Sequence, residues 1–110
     1  MTTSEDFLTY VLDQLQQWSD VYTKRIFGGI GLYYKGLMFG LIYNDVVALK
    51  IDDTNKKKYI DAGEEPIKIF KNKTPLPSYY TVPSVILEDA QDFTNWAQES
   101  YNIQLKKITI

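Results

Sequence analysis

The stretch Arg25 to Ile42, RIFGGIGLYYKGLMFGLI, carries five glycines in eighteen residues. Either it cradles a phosphate or it bends a small sheet. A Walker-type loop needs Gly-Lys-Ser/Thr after four spacer residues, so that an amine and a hydroxyl reach phosphate and magnesium. Gly31 and Gly36 have that separation, but Leu37 and Met38 follow. A dinucleotide loop needs G-x-G-x-x-G between a strand and a helix. Gly29-Ile-Gly31 runs on into Leu-Tyr-Tyr, which continues as a strand. Both phosphate readings fail, and a glycine bend after Phe27 followed by a hairpin takes their place.

The neighbouring residues agree with a hairpin. Ile30, Leu32 and Tyr34 alternate with Gly31 and Tyr33; Leu37, Phe39, Leu41 and Tyr43 alternate with Met38, Gly40 and Ile42. Period two is the signature of strands. Lys35-Gly36 makes the intervening tight turn. Asn44-Asp45 makes the next, and Val46 to Ile51 is a third strand, which completes an antiparallel meander. Gly31 and Gly40 would admit a closely packed helix or aromatic ring.

Upstream, Phe7, Leu8, Val11, Leu12, Leu15 and Trp18 recur at helical spacing, and Thr3 or Ser4 can cap the start. A helix is expected from about 4 to 20. Downstream, the oxygens of Asp52 to Asn55 can cap a short helix over 54–62, with Gly63 at its stop. Residues 66–71 and 76–82 read as strands, the second shortened or at an edge because of its prolines. Asp89 opens a last helix with Ala90, Phe93, Ala97 and Tyr101 on one face. The tail, 102–110, is β-branched enough to add a strand. The expected order is α-β-β-β-α-β-β-α, a single-domain, two-layer α+β fold over 1–110 with an antiparallel sheet.

Composition excludes much chemistry. The chain has neither histidine nor cysteine. An imidazole base, a thiolate nucleophile, a disulfide framework and the usual zinc ligands are therefore unavailable. Asp52-Asp53 and Glu64-Glu65 flank the short helix, where capping and solvated turns account for them. No apolar run reaches the ~20 residues of a membrane span, and no signal peptide is evident, so a cytoplasmic protein is expected. No cofactor is expected.

Charge is uneven. Residues 24–73 carry ten bases against six acids, while the overall balance is −2. Lys24, Arg25, Lys56, Lys57 and Lys58 are the candidate anion contacts, with solvated strand edges and a solvated helix face as the plainer account. Nine tyrosines suggest either core packing, a protein interface or base stacking; Tyr33, Tyr34, Tyr79 and Tyr80 lie in or beside strands.

Taken together, several segments resemble the N-terminal domain of the TfoX/Sxy family. They are Arg25-Ile-Phe-Gly-Gly-Ile-Gly-Leu-Tyr, Met38-Phe-Gly-Leu-Ile, Leu49-Lys-Ile-Asp with Asn55, Gly63 and Pro66, Ser78-Tyr-Tyr with Pro83, and Trp96-Ala97. The resemblance runs from about residue 5 to 101. It implies a fold like that of secretion chaperones. It also implies a bacterial regulator of competence and transcription that acts with a protein such as the cyclic-AMP receptor protein, without enzyme activity. The family's C-terminal domain has no counterpart in these residues, so a stand-alone N-terminal module is expected. Arg25, Phe27, Gly28, Gly29, Lys50, Asp52 and Asn55 match the signature, and a structural role is one reading for all of them. The resulting expectation is a non-enzymatic, protein-binding regulatory module, with a homodimer expected as well. Direct DNA binding through the basic middle is the first alternative, and a carboxylate-based enzyme the last.

Overall fold

The computed structural model describes residues 3–26, 28–70 and 72–108. Phe27 of the signature lies outside these residues. The fold is α+β, with the expected elements in the expected order and two more, a strand and a short helix. Helix α1 (Glu5–Gln14) leads into β1 (Tyr22–Ile26), β2 (Gly29–Tyr34), β3 (Leu37–Tyr43) and β4 (Val46–Lys50). Then come α2 (Lys56–Asp61), β5 (Pro66–Ile69), β6 (Thr74–Thr81), α3 (Ser84–Leu87) and α4 (Ala90–Ile108). The six strands form one antiparallel sheet in the order β1-β2-β3-β4-β6-β5.

Turn chemistry matches the sequence closely. Lys35 and Gly36 have φ of 49° and 84°, and Asn44 and Asp45 have 51° and 60°. Two consecutive left-handed residues give the turn whose twist suits a two-residue hairpin. Gly28 has φ 78°, so the predicted bend requires glycine there. The Ser4 hydroxyl accepts from the Phe7 amide and caps α1, as expected.

Helix α1 is shorter than its apolar stripe suggests. It stops at Gln14, and residues 15–20 form turns. Asp20 takes φ 73° and reverses the chain into β1. Trp18 leaves the helical stripe to pack on Tyr34 and Phe39, at 4.6 and 4.9 Å between ring centroids. Strand β1 escapes the sequence pattern because its sequence, YTKRI, is that of a charged edge strand with little apolar alternation.

Strict alternation also fails within β3. Leu32 pairs with Gly40 and Tyr33 with Met38, so Phe39 is an extra, bulged residue. The bulge turns both Phe39 and position 40 toward the helices. Phe39 fills that space, and position 40 has room only for glycine. A Cβ there would come within 2.7 Å of the Ala48 carbonyl oxygen and 2.9 Å of Leu49 Cδ2.

The helix-side core joins Val11 and Leu15 of α1 and Phe93 and Ala97 of α4 to Leu32, Phe39, Ile42, Val47 and Leu49 of the sheet. Tyr59 of α2 is also buried there. The opposite face holds a second cluster made of strand residues alone, around Leu41, Ala48, Ile67 and Ile69. The tail expected to be a strand is instead helical: α4 runs unbroken to Ile108. Phe93, Ala97, Ser100 and Ile103 keep a buried stripe at intervals of three and four, and that burial outweighs the weak β-propensity of the segment. Residues 109–110 lie outside the description.

These contacts rank the glycines. Alanine at Gly40, or at Gly29 where a Cβ would overlap the Ile42 carbonyl oxygen, should cost about 1–3 kcal/mol through overpacking against backbone. Alanine at Gly36, which has φ 84° but nothing within 4 Å, should cost only about 1 kcal/mol of backbone strain. Urea midpoints of the three variants check the order, which a purely propensity-based effect would not produce.

Candidate functional site

The signature Leu49-Lys-Ile-Asp-x-x-Asn55 closes a knot at the end of β4. Asn55 is 3% exposed. Its Oδ1 accepts from the Asp52 amide at 2.8 Å, and its Nδ2 donates to the Lys50 carbonyl and to Glu99 Oε1, each at 3.3 Å. Asp52 Oδ1 accepts from both the amide and the hydroxyl of Thr54. That hydroxyl, first among several influences, lowers the Asp52 pKa. The expected capping of α2 is thus modified. Asp52 forms a local side-chain turn, while Asn55 turns back onto β4 and makes no cap bond to the helix. Ser100 of α4, fully buried, donates to the same Lys50 carbonyl at 2.7 Å. The side chains of Asp52 and Asn55 are thus both engaged in bonds that shape the chain after β4.

The Lys50 side chain takes the other direction. It belongs to the helix-free face, opposite Tyr79 in the β4–β6 register. Only 6% of the residue is exposed, and its amine stands 5.4 Å from the Tyr79 ring centroid. Burial, and after it the adjacent Lys107 ammonium, pull the amine from 10.5 to about 8, against an upward pull from Asp52. Tyr79 is itself pushed up to about 12, mainly by burial and then by Tyr33. Gln104 reaches over the end of the sheet and donates to the Met38 carbonyl at 2.8 Å and to the Tyr79 hydroxyl at 3.2 Å.

The same face continues across β2 and β1. Tyr33 stacks on Tyr22 with centroids 5.5 Å apart. Lys24 lies 5.1 Å from the Tyr33 centroid and 6.0 Å from that of Tyr22, within cation–π range. Gly31 makes this surface possible, since a Cβ there would strike the Tyr33 ring at 2.7 Å and the Met38 sulfur at 3.0 Å. Tyr34 and Tyr80 point the other way, into the helix-side core with Tyr101 and Tyr59.

The candidate anion contacts do not converge. Lys57 pairs with Asp61 and Lys58 with Glu99, both at 2.7 Å, and Lys58 also covers the Trp96 ring at 4.3 Å. Lys56 stands 5.9 Å from the Tyr80 centroid. Arg25 is exposed on β1, paired with Ile30 and so on the face opposite Lys24. Only Lys24 joins the aromatic face. Tyr22 lies in a strand that the sequence pattern leaves unassigned, and Gln104 and Lys107 lie in a helix that it reads as a strand.

A cleft of about 750 Å³ lies toward the other end of β4, lined in part by Tyr43, Val46, Phe70 and Thr81. Four of its polar side chains are paired: Thr81 donates to Glu64 at 2.6 Å, and Lys68 pairs with Glu65 at 3.2 Å. Among the described residues no cluster of three carboxylates could hold a metal ion, and no helix is long and apolar enough to cross a membrane.

The depressed Lys50 amine has a consequence for stability. Between its folded pKa of about 8 and the unfolded 10.5, the unfolded chain binds the extra proton, so stability rises with pH there. Above about 10, Tyr79, with its pKa raised to about 12, works in the opposite direction. Lys50→Met should therefore stabilise the protein at neutral pH and abolish the gain expected between about pH 8 and 10. Denaturant midpoints across that window provide the check.

A model described as the TfoX N-terminal domain matches residues 13–103 of the 110-residue chain. A comparison with curated proteins finds no match. The chain belongs to the TfoX N-terminal domain family.

Proposed function

We propose that this TfoX N-terminal domain is a non-enzymatic regulatory module that works by binding another protein, in transcriptional or competence control. The observation that carries the reading is the helix-free face, where Tyr22, Tyr33 and Tyr79 lie beside Lys24 and Lys50. Aromatic residues supply contact area at low entropic cost and are enriched where proteins meet. The family's general association with regulation supports the same direction, and the absence of histidine and cysteine removes the commonest nucleophiles and bases. A partner such as a cyclic-AMP receptor protein, or a second copy of the chain, is compatible with such a surface.

Direct DNA reading has weaker support. Two of the three lysines of α2, Lys57 and Lys58, are engaged with Asp61 and Glu99. Helix α4 carries an acid in its first turn, where a recognition helix meets bases or phosphates.

Immobilised protein and a Tyr22→Ser/Tyr33→Ser variant should be compared in native lysate. A partner retained by the first and lost by the folded second is expected. Titration with promoter and scrambled duplexes at about 150 mM salt should show only weak, sequence-blind binding. Three phosphate contacts would give a log–log salt slope near −2.7. Submicromolar, promoter-selective binding would replace this reading with the DNA one.

A further inference from the structure

None of the six strands contains an aspartate or a glutamate. Their charged residues are Lys24, Arg25, Lys50 and Lys68, all basic, and the acids lie in the helices and loops. Two of the four, Lys24 and Arg25, sit side by side on β1, an edge strand whose ladder partner is β2 alone. Tyr22, Lys24 and Arg25 are exposed. Among the described residues, nothing outside that ladder hydrogen-bonds to the backbone of residues 22–26, and no ion pair uses Lys24 or Arg25. An edge strand turns the N–H and C=O of alternate residues outward, so β1 presents a row of backbone donors and acceptors. The opposite edge is less suited to pairing. Strand β5 begins at Pro66, which has no N–H, and its Lys68 is paired with Glu65 at 3.2 Å.

Charges on an edge strand discourage pairing, and against a second copy of β1 these do, because like charges facing one another across a ladder destabilise it. A strand that carries carboxylates meets the reverse condition, since opposite charges across a ladder stabilise it. The register says where those carboxylates belong. Lys24 pairs with Gly31 on the helix-free face and Arg25 with Ile30 on the helix side, so the two bases point to opposite faces. An added antiparallel strand would therefore need two adjacent carboxylates, one for each face. Tyr22 and Ile26 flank Lys24 on the helix-free face, and apolar residues suit the places opposite them. The Tyr22 and Tyr33 rings hold the Lys24 amine at 6.0 and 5.1 Å, on the face that one carboxylate would share.

We propose that β1 is a docking edge for an extended acidic segment of a partner protein, which adds to the sheet as a further strand and sets two consecutive carboxylates against Lys24 and Arg25. This rests on the reading of the chain as a protein-binding module, and it adds where and in what form the partner binds.

The test is an NMR titration of the protein with the capped peptide Val-Glu-Glu-Thr-Val, which follows that pattern, and with Glu-Val-Thr-Val-Glu, the same composition in another order. The expected result is saturable binding of the first peptide, of about millimolar affinity, with amide shifts along β1 and weakening as salt rises from about 20 to 150 mM. The scrambled peptide, and the first peptide with its amides N-methylated, should each bind several-fold more weakly. Lys24→Glu/Arg25→Glu, a double change at exposed positions, should weaken the first peptide about tenfold or more and accept Val-Lys-Lys-Thr-Val instead. The proposal is overturned if the scrambled or N-methylated peptide binds like the first, or if the charge-reversed variant, folded by its amide spectrum, binds like the parent. Tighter binding of oligothymidylate at the same residues also overturns it and assigns the edge to nucleic acid. A lysate partner lost by Tyr22→Ser/Tyr33→Ser but kept by Lys24→Glu/Arg25→Glu overturns the docking edge while leaving the protein-binding reading in place.

Discussion

The carbonyl oxygen of Lys50 is where the two layers of this protein are joined. It lies at the end of β4 and receives two side-chain donors, Ser100 from α4 and Asn55 from the loop before α2. All three residues are buried, and in such surroundings an unpaired carbonyl would cost about 1–3 kcal/mol. The pairing therefore specifies a position for α4 as well as stabilising it. Apolar contacts from Phe93 and Ala97 hold the helix on the sheet, but apolar packing alone tolerates sliding better than a directed hydrogen bond does. With Ser100 fixed, the next turn brings Gln104 to Tyr79 and the one after it brings Lys107 to Lys50.

This geometry couples a structural signature to a surface. The backbone of Lys50 faces the hub, and its side chain faces the aromatic patch. A single strand residue thus connects the docking of α4 to the electrostatics of the opposite face. The bulge at Phe39 makes a similar connection, since it lets Trp18 and Phe39 pack under α4 while Met38 remains on the far face against Gly31.

Much of this was legible in the sequence because the informative residues act locally. Lys35-Gly36, Asn44-Asp45 and Gly28 adopt the left-handed geometry their chemistry suggests. Ser4 and Asp89 act as helix-start groups through bonds three residues long. What escaped depends on partners distant in the chain. Strand β1 is specified by its pairing with β2 and not by its own pattern. The bulge at Phe39 is invisible to a period-two count. The end of α4 is helical because Ser100 and Ile103 are buried, whatever the preferences of its β-branched residues. The candidate site shares that limitation. Lys50 and Tyr79 could be singled out from sequence, but Lys107, 57 residues beyond Lys50 in the numbering, could not be placed beside it.

The Ser100 bond to the Lys50 carbonyl places the end of α4 beside Lys50. Titrating the Lys50 side chain by NMR in Ser100→Ala tests it most directly, because the substitution removes the donor without touching either amine. Lys50 should titrate near 8 in the parent and higher in the variant, which loses the Lys107 contribution but keeps the larger effect of burial, with the sheet's cross-strand contacts retained. An unchanged Lys50 pKa in a folded Ser100→Ala protein would contradict the claim.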